Sequence, residues 1–186
     1  MPNLYLVLTH YPVINKNGDT IASAVTNLDL HDIARAAKTY GVNAFYAVTP
    51  LLDQKKLIKK IVAHWATGIG AQYNPKRCEA LTLIKVKDSL DEVKDDIAND
   101  GFGYPKTVVT SAKKSPRSIH YDTFRKMLNG DSPYLLIFGT AWGLSEEIVN
   151  KADYLLEPIE GGTDYNHLSV RSAVAIILDR LIVKGR

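Results

Sequence analysis

The feature that most constrains the fold is a strict alternation of short apolar runs with helically spaced apolar residues. Six apolar runs predict strands, at residues 4–9, 44–49, 81–86, 107–110, 135–138 and 154–159. Six helical patterns separate or follow them, at residues 28–40, 54–65, 90–98, 121–128, 146–152 and 168–183. This alternation is typical of an α/β fold, and we predict a six-stranded parallel sheet with helices on both faces.

Length and composition place few further limits on the chain. Its 186 residues fit a single domain, residues 1–186, that is large enough to bury a full core. The single Cys78 cannot form an internal disulfide, and the Cys and His residues show no metal-ligand spacing, so we expect no metal. We see neither a secretory signal nor an apolar run that could cross a bilayer. We therefore expect a cytoplasmic protein with no membrane partner.

Two of the predicted strands end in turns that lead toward helices, at residues 135–144 and 154–159. In open α/β sheets, small molecules bind where the carboxyl ends of strands meet such loops. The turn from Gly139 to Gly143 lacks the Lys-Ser/Thr of a P-loop and the third glycine of a dinucleotide fingerprint. Five acids lie nearby: Glu146, Glu147, Glu157, Glu160 and Asp164. The sequence therefore favours a neutral or cationic ligand, such as a nucleoside that bears a sulfonium.

Basic residues are concentrated between positions 106 and 126. This stretch has a single acid, Asp122, and six cations: Lys106, Lys113, Lys114, Arg117, Arg125 and Lys126. Such a stretch either attracts phosphate groups or forms an ordinary solvated face, and the sequence favours neither.

Three helices carry further signals. Thr26 and Asp29 have the spacing of a capping box, and Arg35 on the same helix points away from its apolar face. Ser145 is the predicted N-cap of the helix that begins at Glu146. The final helix is apolar around most of its circumference, which favours a symmetric homodimer over a helix buried deeply within one chain.

Four segments resemble the three motifs of the SPOUT methyltransferases. Residues 27–42, ending in the letters DIARAAKTYGV, are similar to the first motif, and residues 135–144, 156–159 and 166–173 are similar to the second and third. The resemblance implies a minimal SPOUT domain whose C-terminal part forms a trefoil knot, the α/β-knot fold. It also implies a homodimer that binds S-adenosylmethionine and methylates RNA, either tRNA or rRNA.

The resemblance assigns binding roles to specific residues. The cofactor would contact Thr110, Ser111, Gly139, Thr140, Gly143, Leu144, Leu156, Pro158, Ile159, Asn166, Leu168 and Ser169. Thr110 and Ser111 are included because they follow the preceding strand, although no motif covers them. From their charge, we expect four residues of the basic stretch to bind RNA: Lys113, Lys114, Arg117 and Arg125.

The implied reaction is an in-line methyl transfer to oxygen or nitrogen, with Arg35, Asn166 and Asp164 as catalytic candidates. In the branch that methylates a ribose 2′-hydroxyl, the arginine matching Arg35 is assigned removal of the proton. Because arginine is nearly always protonated, binding a phosphate is the alternative role for Arg35. If the target is a guanine nitrogen, Asp164 is the more natural proton acceptor.

Two other function classes are alternatives to an RNA methyltransferase. A non-catalytic dimeric module that binds a nucleoside is the alternative to an enzyme. An unrelated hydrolase is disfavoured, since the sequence has no Gly-x-Ser-x-Gly elbow.

Overall fold

The computed structural model describes residues 2–183. The strands are β1 Leu4–Thr9, β2 Val13–Ile14, β3 Thr20–Ile21, β4 Phe45–Val48, β5 Ile84–Lys87, β6 Lys106–Val109, β7 Ser118–Ile119, β8 Tyr134–Gly139 and β9 Tyr154–Leu156. The helices are α1 Asn27–Thr39, α2 Leu52–Ala66, α3 Ile69–Tyr73, α4 Pro75–Leu81, α5 Leu90–Ile97, α6 Tyr121–Met127, α7 Glu146–Lys151 and α8 Val170–Ile182. A short π-helix, Ala98–Phe102, follows α5.

Seven of the strands form one sheet in the order β5-β4-β1-β8-β6-β9-β7, and every pairing in it is parallel. Strands β2 and β3 form a separate two-stranded antiparallel sheet. In the centre, β1 lies between β4 and β8, and all six of its residues are buried. The predicted parallel sheet is confirmed.

Helices cover both faces of this sheet, as predicted. One face packs against α1, α2, α4, α6 and α8 through a core that includes Leu6, Ile33 and Leu178. The other face packs against α5 and α7 through Val7, Val93 and their neighbours. Alternate residues of β1 therefore enter opposite cores, as the pleat of a strand requires. Within residues 2–183, no helix is both long and apolar enough to span a membrane.

Several sequence-based boundaries were wrong. The main sheet has seven strands rather than six, because two-residue β7 is too short to give an apolar pattern and pairs only at the edge. The strand predicted at residues 81–86 begins at Ile84, since Leu81 ends helix α4. Asn74 starts that helix by accepting a hydrogen bond from the Arg77 N–H at 3.0 Å. The strand predicted to reach residue 159 ends at Leu156, just before Pro158, which cannot donate a ladder hydrogen bond.

The capping predictions had different outcomes. Asp29 N–H donates to Thr26 Oγ1 at 3.1 Å, and the Thr26 hydroxyl donates to the Asp29 carboxylate at 2.6 Å, which confirms the N-terminus of α1. Ser145 does occupy the N-cap position of α7, but its hydroxyl makes no capping bond. That hydroxyl is buried and has no hydrogen-bond partner among residues 2–183. The predicted helix start at Ser145 is therefore confirmed, but without a hydrogen bond from its side chain.

Candidate active site

Three predicted site loops start from neighbouring strands at the carboxyl edge of the sheet. Strand β6 lies between β8 and β9, and its last residue, Val109, pairs with Ile137 on one side and Leu155 on the other. Thr110 follows Val109, and both its N–H and its hydroxyl donate to the Ile137 carbonyl, at 3.0 and 2.9 Å. The loops that begin after these strands therefore leave the sheet side by side.

The loop after β8 is a tight turn that depends on two glycines. A Cβ at Gly139 would lie 2.7 Å from the backbone nitrogen of Leu144, a separation that real Cβ atoms essentially never show. Gly143 has a φ of +112°, a conformation that glycine adopts without strain. Its N–H donates to the Thr140 carbonyl at 3.0 Å, which closes the turn. The backbone of residues 139–144 is thus fixed by the sequence.

The small β2–β3 sheet braces this turn. Ile14 N–H donates to the Gly143 carbonyl at 3.0 Å, and Trp142 N–H donates to the Ile14 carbonyl at 3.1 Å. Val13 forms a further antiparallel bridge with Leu144. The Trp142 ring itself remains 63% exposed, so it lies at the rim of the site.

Hydrogen bonds to half-buried Ser23, and through it to buried His10, hold Thr140 from behind. The Thr140 hydroxyl lies 3.1 Å from the Thr9 carbonyl and 2.5 Å from the Ser23 hydroxyl. Ser23 Oγ in turn lies 3.0 Å from Nδ1 of His10, a residue that is fully buried. Burial lowers the pKa of His10 to about 4, so its ring is neutral at physiological pH. Neither His10 nor Ser23 was predicted from the sequence, although the position of His10 immediately after a buried strand was an available signal.

The loop after β9 begins with apolar residues. Leu156 is buried, and Pro158 and Ile159 are half-buried. Between them, Glu157 accepts a hydrogen bond from Tyr121 N–H at 2.7 Å and lies 2.7 Å from His120 Nδ1. Burial alone would raise the pKa of Glu157, but these two contacts lower it below the usual value. Glu157 therefore joins this loop to α6.

The remaining segment of the predicted site, residues 160–169, is exposed throughout. The Asn166 side-chain amide donates to the Ala112 carbonyl at 3.2 Å, which places it beside the loop after β6. Ser169 caps α8 by accepting from Ser172 N–H at 3.4 Å. Asp164 and Leu168 are both exposed, and Leu168 retains 46% of its accessible surface. This segment thus forms an open wall.

Most of the five acids predicted near the ligand already have partners within the chain. Glu147 is paired with Lys151, and Glu160 with Lys114, each at 2.6 Å. Together with Glu157, three of the five have cationic or hydrogen-bonding partners. Contrary to the sequence-based expectation, the site is therefore not strongly acidic.

The predicted RNA-binding residues differ in their surroundings. Lys113 and Arg117 are exposed in the loop between β6 and β7, and Ser111 Oγ accepts from Lys113 N–H at 3.0 Å. Lys114 is paired with Glu160, as above. The Arg125 guanidinium is bound within the chain, to Asp122 at 2.7 Å and to the Arg180 carbonyl at 3.1 Å.

Arg35 lies apart from the loops at the sheet edge. It is exposed on α1 and lines a groove that α1 forms with α4. Within residues 2–183 no hydrogen bond or ion pair joins its guanidinium to the loops at the sheet edge. The nearest link is Arg171 of α8, which pairs with Asp29 at 3.1 Å and Asp32 at 3.5 Å.

A model of the family described as SAM-dependent RNA methyltransferase matches residues 3–183. A protein of Aquifex aeolicus, named uncharacterised, is 40% identical over 185 residues, which is 99% of this chain and 90% of that protein. A tRNA (guanine-N(1)-)-methyltransferase of Nitratidesulfovibrio vulgaris is 45% identical over 184 residues, or 97% of this chain. The match spans only 42% of the Nitratidesulfovibrio protein.

Solved structures are similar over nearly the whole chain. A probable methylase family protein of Haemophilus influenzae has a TM-score of 0.61 at 22% identity and covers 97% of this chain, which is matched to 65% of that structure. The TrmH/SpoU tRNA modifying enzyme of A. aeolicus has a TM-score of 0.58 at 19% identity, covering 97% of this chain and 74% of its own. These likenesses support the α/β-knot fold that the sequence motifs predicted.

Proposed function

Because the chain belongs to the SAM-dependent RNA methyltransferase family, we propose that the three loops at the carboxyl edge of the sheet bind S-adenosylmethionine and that the chain methylates tRNA. The observation that carries this proposal is the side-by-side exit of the loops after β6, β8 and β9. These loops and the strand ends before them contain every residue that the motifs assign to the cofactor. They also contain Thr110 and Ser111, which follow β6.

The residues at this edge suit an adenosyl group. Leu144, Leu156 and Ile159 provide apolar surface, while Thr110 and Thr140 provide hydroxyl oxygens and the glycine turn brings backbone close to a ligand. Three of the five nearby acids already have partners within the chain. The site therefore has no large uncompensated charge that would repel the ligand or require it to be cationic. S-adenosylmethionine, when bound, supplies its methyl group from a sulfonium carbon.

The chain's own contribution is positional. Gly139 and the hydrogen bonds of Thr140 fix one wall before any ligand arrives, and alignment of the reacting groups supplies much of the acceleration in such transfers. Arg35 binds substrate phosphate, because it shares its groove with Lys38 and Arg77 and guanidinium groups match the geometry of phosphate oxygens. Asn166 holds the open wall against the loop after β6, and Asp164 accepts the proton when the target is a guanine nitrogen.

The substrate proposal draws on the named relatives. They are tRNA (guanine-N(1)-)-methyltransferases, but this chain spans 42% of their length, so the activity in their names belongs to proteins with a large additional part. We therefore propose tRNA as the RNA and keep both acceptors, a guanine nitrogen and a ribose 2′-hydroxyl. Lys113 and Arg117 are exposed beside the site and are proposed to contact the RNA, with Lys114 near them.

We also propose a homodimer that covers the open wall and the outer face of α8. Val174, Ile177 and Leu178 of α8 are buried within the chain, whereas Ala175 is exposed and Ile176 is only half-buried. Such apolar residues on an outer helix suit a two-fold interface.

Light scattering should give twice the chain mass, and Ile176→Glu should shift the measured mass toward that of the monomer. A wild-type chain that remains a monomer at micromolar concentration would contradict the dimer.

The proposed function is tested by methyl transfer from labelled S-adenosylmethionine to bulk tRNA and, separately, to rRNA. Mass spectrometry of the digested product identifies the methylated atom. We expect tRNA to be labelled, and Arg35→Ala to lose most labelling while its affinity for S-adenosylmethionine is retained. Failure of the wild-type chain to bind both S-adenosylmethionine and S-adenosylhomocysteine would overturn the proposal.

A further inference from the structure

A second candidate site lies between α1 and α4, outside the loops at the sheet edge. It is a groove of about 340 Å³. Its lining is Arg35, Lys38 and Thr39 from α1, with Asn74, Lys76, Arg77, Glu79 and Ala80 from the start and body of α4. The two sets of residues are distant in sequence, so only the fold brings these four cations together.

The α1–α4 groove has an excess of positive charge. Its single lining acid, Glu79, is paired with Lys76 at 2.9 Å, and both are exposed. Within residues 2–183, Arg35, Lys38 and Arg77 take part in no ion pair. Like charges gathered in this way repel each other unless an anion lies between them. The groove is therefore built to favour an anionic ligand.

Arg77 is held in position for such a ligand. Its guanidinium lies over the Trp65 ring, 4.5 Å from the centroid. Its Nε is buried and has no hydrogen-bond partner among residues 2–183. Stacking on an aromatic ring holds the planar guanidinium in one orientation, and its N–H groups match two oxygens of a phosphate.

His31 provides a second observation of the positive field. Its ring packs edge-on against Trp65, with centroids 5.4 Å apart, so it borders the same cluster. The pKa of His31 is lowered first by burial and then by the charge of Arg77, with Arg35 acting in the same direction, although Asp32 opposes them. Both arginines therefore act on one imidazole, which places their charges close together.

Helix α1 links the groove to α8, which follows the open wall of the proposed cofactor site. Arg171, in the first turn of α8 after the open wall, is paired with Asp29 on α1. Arg35 follows Asp29 by six residues on that helix, which is about 9 Å along its axis. A stacked strand with roughly 3.4 Å per nucleotide covers this distance in about three nucleotides.

We propose that the α1–α4 groove binds phosphodiester groups of the RNA a few nucleotides from the methylated one, with Arg77 as the main contact and Lys38 and Arg35 beside it. This inference rests on the proposed function. Arg77 and Lys38 act in substrate binding, and the cofactor loops do not depend on them.

The experiment measures tRNA affinity by fluorescence anisotropy over a range of salt concentrations, with S-adenosylhomocysteine present. Arg77→Gln and Lys38→Gln are compared with Lys126→Gln, which removes the same charge from an exposed position on α6. We expect Arg77→Gln to weaken RNA binding about tenfold and to reduce the salt slope by about one. Arg77→Lys should recover only part of the affinity, because it keeps the charge without the planar fork. Lys38→Gln keeps the test valid if Arg77→Gln fails to fold.

The outcomes separate the two proposals. If wild-type chain binds tRNA and both groove variants match Lys126→Gln, the groove is not an RNA site while the proposed function stands. If wild-type chain binds S-adenosylhomocysteine but no RNA, the proposed function itself fails. Affinity for S-adenosylhomocysteine should be unchanged in every variant, and a parallel loss of it would overturn the assignment of the groove to RNA.

Discussion

Two walls of the proposed cofactor site are built in opposite ways. The turn at residues 139–144 is fixed by a glycine that admits no Cβ, by backbone bonds to β2 and by hydrogen bonds from Thr140 to Ser23 and the Thr9 carbonyl. The segment at residues 160–169 is exposed throughout and is held by few contacts, among them the Asn166 bond to Ala112. One wall is therefore fixed within the chain, whereas the other is exposed and weakly held.

The largest effect is expected at Gly139. In Gly139→Ala, the new Cβ would meet the Leu144 backbone, so the turn must shift and the free energy of unfolding should fall by about 3 kcal/mol. Affinity for S-adenosylmethionine should fall at least tenfold. Gly130→Ala is the control, because its Cβ would meet nothing closer than 3.5 Å. Equal stability of the two variants, measured by urea unfolding, would show that the turn is not fixed.

His10 gives the fixed wall a pH dependence. Its pKa is about 4 in the folded chain, below the value of roughly 6.5 for an unfolded imidazole. Between these values the unfolded chain holds a proton that the folded chain does not, so stability is complete above pH 6.5 and falls as the pH drops to 4. The loss should be on the order of 3 kcal/mol, and His10→Gln should remove it. His64→Gln, at an exposed position, should leave the pH profile unchanged.

A substitution at Thr140 tests the hydrogen bonds that its hydroxyl makes with Ser23 and the Thr9 carbonyl. Thr140→Val keeps the shape of the side chain but removes the oxygen that contacts Ser23 and the Thr9 carbonyl. The free energy of unfolding should fall by about 1 to 2 kcal/mol, because buried polar partners are left unsatisfied. Thr123→Val on the exposed face of α6 is the matched control. A thermal unfolding midpoint that is lowered equally in both variants would show that the hydrogen bonds of Thr140 do not stabilise the turn.

The open wall should respond in the opposite way. Leu168→Ala should change the free energy of unfolding by only about 0.5 kcal/mol, since the side chain is 46% exposed. Affinity for S-adenosylmethionine, measured by calorimetry, should nevertheless decrease. Leu57→Ala on α2, where the side chain is 41% exposed, should show the same small stability change without loss of affinity. Unaltered affinity in Leu168→Ala would remove this wall from the site.

The sequence predicted the sheet, its helical layers and the positions of the site loops, because buried strands and capped helices have clear periodic patterns. It did not reveal α3, α4 or β7, since these elements are too short to give a clear periodic pattern of apolar residues. The α1–α4 groove depends on α4, so it was not predictable either.

Charge was the least predictable property. The basic stretch at residues 106–126 looked like the main cationic surface, yet Lys106, Lys114 and Arg125 are paired with acids. In the α1–α4 groove, Arg35, Lys38 and Arg77 form no ion pair with any residue from 2 to 183, and they come from two segments that are separate in sequence. Ion pairing depends on tertiary contacts, which cannot be read directly from the amino-acid sequence.

Hydrogen–deuterium exchange with and without S-adenosylhomocysteine tests the account most directly. Without ligand, the hydrogen-bonded amides of Trp142 and Gly143 should already exchange slowly, while residues 160–169 exchange quickly. Adding S-adenosylhomocysteine should slow exchange mainly in residues 156–169. Binding that protects other parts of the chain and leaves residues 139–169 unchanged would contradict the proposed cofactor site.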